Sequence, residues 1–236
     1  MKLIIEKDYE AMSQTAATLT LARMYQNRRV NISITAGSTP KRVYEIMAPQ
    51  VKDKSYLDNV YYYNFDEIPV KGEKVGITMR DLNTMYFTPA AISRERIVPL
   101  NEQTYTTQME RIRSVGGLDF MLLGLGFDGH YCGNLPGATH FEDEIVTVSS
   151  YATPDMEKRL IKNLDRPEQL FDFYLTMGPK AVMETKELVI IANGKRKAPA
   201  VKEFLTGTIR NEFPASVLKL HPNLTLILDE EAASLL

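Results

Sequence analysis

Short apolar runs that alternate with helical segments along the chain limit its fold more than any other feature. Strands are expected at Lys2–Glu6, Val30–Ala36, Asn59–Phe65, Leu118–Gly124, Glu187–Asn193 and Leu224–Leu228. Helices are expected at Asp8–Gln26, from Pro40 to about Met47, at Gly76–Tyr86, Gln103–Val115, Pro179–Thr185 and Lys195–Leu205, and from Glu230 onward. Apolar strands separated by helices have to be covered on both faces. The pattern therefore predicts an α/β fold, a Rossmann-like open and mostly parallel sheet with helices on both faces. With 236 residues and 44% hydrophobic content the chain can fill one such core, and no low-complexity linker divides it, so one domain over 1–236 is expected.

In sheets of this kind ligands sit beyond the strand carboxyl ends. Four polar clusters fall there: Gly37-Ser38-Thr39, Asp66-Glu67, Asp128-Gly129-His130 and Gly194-Lys195-Arg196-Lys197. The third is the most constrained. In Leu122-Leu123-Gly124-Leu125-Gly126-Phe127-Asp128-Gly129-His130 an apolar run stops at glycines, which permit a sharp turn, and then presents an acid and one of only three histidines. In Gly37-Ser38-Thr39-Pro40, Pro40 is expected at the first helical position with Thr39 as cap, leaving free amides that suit an anion. Neither the phosphate-loop nor the dinucleotide glycine spacing is present, so a small phosphorylated ligand fits better than a nucleotide.

Lys195, Arg196 and Lys197 place cations at a helix start, where only a nearby anion favours them; which of the three meets it is left open. Arg159 is a further candidate phosphate clamp. It lies in the charged stretch 138–169, which is thin in core pattern and reads as a lid.

Charge and cysteine content exclude other classes. The formal charge of -2, from 28 basic and 30 acidic residues, argues against a nucleic-acid or membrane-surface role. No stretch of about 18 apolar residues could span a bilayer, and the apolar part of MKLIIEKDYE is too short for a signal-peptide core, so a cytoplasmic location is expected. The single cysteine, Cys132, excludes an intrachain disulfide and reads as a partly buried spectator rather than a nucleophile. No histidine and cysteine spacing suggests a metal site, and no cofactor is expected.

Taken in order, Ala36-Gly37-Ser38-Thr39-Pro40, Asn64-Phe65-Asp66-Glu67, Leu123 to His130, Leu175-Thr176-Met177-Gly178 and Pro214 to Pro222 resemble the glucosamine-6-phosphate deaminase (isomerase) family, whose nearest relative is 6-phosphogluconolactonase. The resemblance spans almost the whole chain and implies a phosphosugar as the small-molecule partner. It implies that Asp66 is the base that shuttles a proton between neighbouring sugar carbons, that His130 assists ring opening, and that Asp128 orients His130. A carboxylate whose pKa is tuned by burial can take and return one proton. Glu67 beside it is either a tuning charge or a surface group. Phosphate binding carries over to Gly37, Ser38 and Thr39, to Lys197 and to Arg159.

Two departures bear on the reaction. Where deaminases continue Gly-His-Ile-Ala-Phe-Asn-Glu-Pro, this chain reads Gly129-His130-Tyr131-Cys132-Gly133-Asn134-Leu135-Pro136, with Leu135 in place of the glutamate that tunes the histidine. Leucine cannot support imidazolium, so His130 keeps one carboxylate. Leu135-Pro136-Gly137 is similar to the lactonase ending, yet Ile68 stands where lactonases place arginine after the Asp-Glu pair. The expectation is a deaminase-type aldose–ketose isomerisation, with possible loss of ammonia, on a phosphosugar that need not be glucosamine 6-phosphate. Lactone hydrolysis and a non-catalytic sugar-phosphate sensor are the alternatives. The stretch Gly137–Glu144, where the family's allosteric members bind an activator through basic groups, is acidic here. No such activation is expected, and a monomer or small homo-oligomer is.

Overall fold

The computed structural model describes residues 1–152 and 154–236. Its strands are β1 (Lys2–Glu6), β2 (Val30–Ser33), β3 (Val60–Tyr63), β4 (Asp66–Glu67), β5 (Ile97–Val98), β6 (Phe120–Gly124), β7 (Ile145–Ser149), β8 (Phe173–Met177), β9 (Leu188–Ala192) and β10 (Leu224–Asp229). The helices are α1 (Tyr9–Met24), α2 (Lys41–Val51), α3 (Ile77–Leu82), α4 (Gln108–Ser114), α5 (Pro154–Ile161), α6 (Pro179–Met183) and α7 (Ala198–Thr206). Seven strands form one parallel sheet in the order β1-β10-β9-β6-β2-β3-β5.

Successive residues of the central strands point to opposite faces and feed two separate cores. Phe120, Leu122, Val189, Ile191 and Ile227 pack on one side with Met12 and Ala16 of α1, Val43 and Met47 of α2, and Leu82 of α3. Met121, Leu123, Leu188, Ile190 and Leu226 pack on the other with Ile112 of α4, Val182 of α6, and Val201 and Phe204 of α7. The expected sheet with helices on both faces is thus the observed one. From β2 the chain moves to β3 on one side, while β6, β9 and β10 build the other, so a crevice opens between the carboxyl ends of β2 and β6.

A second sheet was not legible in the sequence. β4, β7 and β8 pair antiparallel in the order β4-β8-β7, with Asp66 opposite Thr176 and Glu67 opposite Leu175. It carries its own small core of Val148, Met156, Leu160, Leu170 and Tyr174, with Ile68 and Leu135 packed against it. Among its described residues the stretch 138–169 contains a paired strand and a helix.

Several boundaries differ from expectation, each for a local reason. Pro40 is the residue before α2 rather than inside it, and no side chain caps that helix. Instead the Tyr9 hydroxyl accepts the Arg42 amide (3.2 Å) and bonds the carbonyls of Ser38 (3.2 Å) and Thr39 (3.0 Å), so α1 holds the turn. The helix expected at Lys195 starts as a tight turn over Lys195–Lys197, and α7 follows. Residues 103–107 likewise turn tightly before α4. After Asp229 the chain makes turns rather than the expected helix, because Asp229 accepts both the Ala232 amide (2.8 Å) and the Gly194 amide (3.0 Å).

Candidate functional site

The four polar clusters converge on one cleft. Its first half, about 270 Å³, is lined by Thr35 to Pro40, Gly124 to Gly126 and Lys197. Its second half, about 180 Å³, is lined by Ile68, Thr78, Gly133, Leu135, Met156, Arg159, Leu160 and Tyr174. Asp66, His130 and Cys132 line both and form the junction.

Asp66 reaches the junction because Asn64 fixes the chain just before it. The buried Asn64 amide donates to the Asp66 carbonyl (2.9 Å) and the Leu100 carbonyl (3.2 Å), and its oxygen accepts the Leu100 amide (2.8 Å). The Thr78 hydroxyl donates to Oδ1 of Asp66 (3.2 Å). Burial pushes the Asp66 carboxyl up to about 6, although Thr78 and His130 pull it down.

Glu67 turns the other way and is buried. Its carboxylate accepts the amides of Ile68 (2.9 Å), Thr78 (2.9 Å) and Met79 (3.1 Å), two of them from the first turn of α3. Burial and the neighbouring Asp66 raise its pKa, and these three amides oppose the rise. Gly76 sits so close to the Glu67 carboxyl and the Ile68 carbonyl that a β-carbon would collide with them. Glu67 is therefore the group that anchors α3 behind Asp66.

The loop after β6 is a tight turn. The Gly126 amide donates to the His130 carbonyl (2.7 Å) and the Gly129 amide to the Gly126 carbonyl (3.1 Å). Gly129 has φ +83°, and a β-carbon there would also meet the Phe213 ring. Its carbonyl accepts the Ala215 amide (2.9 Å), so the Pro214–Leu220 turn braces the loop from behind. A β-carbon at Gly126 would strike the His130 ring. The ring is thus seated on bare backbone, with Nδ1 against Oδ1 of Asp128. Burial alone would raise Asp128, but the hydrogen bond and charge of His130 hold its carboxyl far below the usual range. His140 is exposed, and the buried His221 bonds the Thr185 carbonyl through Nε2 (2.6 Å), so His130 is the histidine that serves the cleft.

Lys197 enters the first half from the turn before α7. Its ammonium donates to the Leu125 carbonyl (2.6 Å), and burial lowers its pKa. Gly194, at φ +84°, makes that turn possible. Lys197 thereby faces Gly37, Ser38 and Thr39 across the crevice. Lys195 and Arg196 do not line this half; the Arg196 guanidinium lies over the Phe127 ring at 4.4 Å.

Arg159 is not brought to this end. From α5 it lines the second half, 3.5 Å from Oδ2 of Asp128 and 5.8 Å from the centre of the Phe127 ring. Phe127, 44% exposed, thus touches two guanidinium groups and links α5 to the turn before α7. The Cys132 thiol is pushed well up by burial and by Asp66, which keeps it protonated and unreactive.

Thr78, Tyr174, Met156 and Leu160 were missed as cleft residues. The spacing of Met156, Arg159 and Leu160 was the available signal, since residues three and four apart share a helix face. Tyr174 and Thr176 belong to a strand whose pairing no local pattern marked. They fix the wall behind Cys132: the Tyr174 hydroxyl donates to the Gly133 carbonyl (2.9 Å) and Thr176 accepts the Gly133 amide (2.9 Å). Among the described residues no group of three or more His, Cys, Asp or Glu side chains is placed to hold a metal ion, and no helix is long and apolar enough to cross a membrane.

Known proteins are similar to this chain along nearly its whole length. Residues 7–227 match the family of glucosamine-6-phosphate isomerases and 6-phosphogluconolactonases. The glucosamine-6-phosphate deaminase of Shouchella clausii is 32% identical, covering 99% of this chain and 97% of the relative. That of Thermoanaerobacter pseudethanolicus is 31% identical over 100% of this chain and 95% of its own. The solved structure of a monomeric glucosamine-6-phosphate deaminase superposes with a TM-score of 0.84 at 26% identity, covering both chains completely. The 6-phosphogluconolactonase of Trypanosoma cruzi shares the fold, with a TM-score of 0.76 at 18% identity over 99% of this chain and 96% of that one. The chain belongs to the glucosamine-6-phosphate isomerase/6-phosphogluconolactonase family.

Proposed function

We propose that the chain is a glucosamine-6-phosphate deaminase-like enzyme that moves a proton between adjacent carbons of an open-chain aldose phosphate. The observation that carries this reading is the junction. A carboxyl tuned to about 6 and a carboxylate-oriented histidine meet next to the Gly37–Thr39 loop and a half-buried lysine.

The phosphate goes to the first half of the cleft, where the Gly37, Ser38 and Thr39 amides and the Lys197 ammonium surround it. That places the sugar carbons over Asp66 and His130. Because Asp128 stays ionised, Nδ1 of His130 is the donor between them, and Nε2 is left to exchange a proton with the ring oxygen. After opening, Asp66 removes the proton beside the carbonyl or iminium carbon and returns it to the neighbour. With a pKa about 6 it is mostly ionised at neutral pH yet can hold the proton in transit. Thr78 bonds only Oδ1, which leaves Oδ2 for the substrate.

Leu135 stands where the deaminase family carries its relay glutamate, so ring opening rests on Asp128 and His130 alone. Arg159, paired with Asp128 when no ligand is bound, is the second-half cation available to a phosphosugar once α5 closes, and 138–169 serves as the lid on a single 1–236 domain. Two of the acids of 142–144 have structural partners: Glu144 pairs with Arg113 (2.7 Å) and Lys180 (2.8 Å), and Asp143 accepts the His140 amide (2.7 Å). Regulation by a bound amino-sugar phosphate is absent in this reading, and the protein works in the cytoplasm as a monomer or small homo-oligomer.

The test is incubation in deuterated water with glucosamine 6-phosphate and, in parallel, other hexose 6-phosphates. The expected product is a ketose 6-phosphate labelled at C1, with ammonia released from the amino sugar and no label with Asp66→Asn. Hydrolysis of 6-phosphogluconolactone without labelling would establish the lactonase instead. Tight binding without either product would establish a sensor.

A further inference from the structure

Asp229 lines neither half of the cleft, yet it is bonded to the turn that delivers the cation of the first half. It ends β10 and is 4% exposed. A buried carboxylate is costly unless it is hydrogen-bonded, and this one is bonded to backbone amides. Both of its oxygens accept the Gly194 amide (3.0 Å each), and Oδ1 also accepts the Ala232 amide (2.8 Å). The Ala232 bond fastens the turns after β10. The Gly194 bond crosses to another strand exit, the one that leads to Lys197.

The sheet register brings the two together. β9 and β10 are parallel neighbours with Ala192 opposite Leu228, so Asp229 stands beside the chain as it leaves β9. At Gly194, with φ +84°, that chain turns, and the Gly194 carbonyl accepts the Lys197 amide (2.9 Å). Asp229 therefore holds Gly194 by its N–H, and Gly194 holds Lys197 by its C=O. No side chain caps this turn or α7 behind it, so the carboxylate from β10 takes the place of a cap. Lysine carries its charge on a flexible stem, and its head is placed only as well as the backbone beneath it. Here the head is already set: the Lys197 ammonium donates to the Leu125 carbonyl (2.6 Å), which leaves its other N–H groups for an anion. A donor held in place before the ligand arrives reduces the ordering cost of binding.

We infer that Asp229 is a positioning residue for phosphate recognition: through the Gly194 turn it sets where the Lys197 ammonium stands opposite Gly37, Ser38 and Thr39. The inference rests on the proposed phosphosugar site and adds to it a residue outside the cleft.

Titration calorimetry with glucosamine 6-phosphate tests it in a set of full-length proteins that all carry Asp66→Asn to stop turnover: that variant alone, with Asp229→Asn, with Lys197→Ala, and with both. Asparagine keeps the shape of Asp229 but sets a donor against the Gly194 amide. While Lys197 is present, Asp229→Asn is expected to weaken binding about 3–10-fold, the worth of one hydrogen bond. Once Lys197 is replaced, it should cost less than about twofold more, because a residue that acts through the lysine has nothing left to place. Should Asp229→Asn fail to fold in thermal denaturation, Gly194→Ala takes its position in the cycle. Its β-carbon meets only Glu231, at 3.9 Å, so the strain falls on the turn itself. An unchanged affinity, or a loss of the same size with and without Lys197, overturns the positioning role and leaves the phosphosugar site standing. If Lys197→Ala costs nothing, or if none of the proteins binds, the proposed placing of the phosphate falls, and the positioning role with it.

Discussion

The anion end of the cleft stands on the parallel sheet, and the apolar end stands on the small antiparallel one. At the anion end, the turns after β2, β6 and β9 leave buried strands and are locked by backbone hydrogen bonds, glycines and the Tyr9 hydroxyl. At the apolar end, the wall comes from Met156 and Leu160 of a short helix together with Ile68 and Leu135, over a core of five buried side chains. In the proposed function the first end is preorganised for an invariant group, a phosphate. The second, with less core beneath it, is where specificity can change without disturbing the fold, and Leu135 lines it. Asp66 joins the two, because β4 belongs to the small sheet while Asn64, just before it, ties it to the large one.

The largest expected effect falls on that joint. Asp66→Asn should lower turnover by about 10²–10⁴-fold while phosphosugar affinity, measured by calorimetry, stays within a few fold; an equal loss of both would make Asp66 a binding group. The two supports should also differ in strength. Leu122→Ala, in the large core, is expected to cost ~2–5 kcal/mol in denaturant unfolding. Leu160→Ala, beside the cleft, is expected to cost less than about 2 kcal/mol. Equal costs would remove the distinction between a rigid end and an adaptable one.

Lys197→Ala should weaken phosphorylated ligands by roughly 10–100-fold, the worth of a charge-assisted hydrogen bond, with little effect on kcat. Unchanged affinity would move the phosphate away from the first half. The smallest effect is in the pH profile. As Asp66 titrates at about 6, kcat/KM should fall about tenfold between pH 7.5 and 5 as the base becomes protonated, and rise again on return. A flat profile over that range would separate the proton shuttle from this carboxyl.

The same division explains what could be read from the chain. The anion end is legible because parallel strands are continuous apolar runs whose exits are marked by glycines or polar residues; Gly37, Asp66, His130 and Lys197 stand at such exits and line the cleft, and Asp128 bonds His130 there. The apolar end is not. β4 and β7 are short or half-exposed, β8 gains its identity from pairing with both, and pairing across long sequence separation leaves no local period. Arg159 was found as a cation, but its position against Asp128 depends on how α5 packs, which its own sequence does not state. Tyr9 was found only as a helix residue, since its contact with Ser38 and Thr39 spans about thirty positions.

A crystal structure of the Asp66→Asn variant with glucosamine 6-phosphate bound tests the central claim most directly. The phosphate is expected on the Gly37–Thr39 amides and Lys197 Nζ, with C1 and C2 within contact of the side chain at position 66. A phosphate seated on Arg159 in the second half, with C1 and C2 away from position 66, would contradict it.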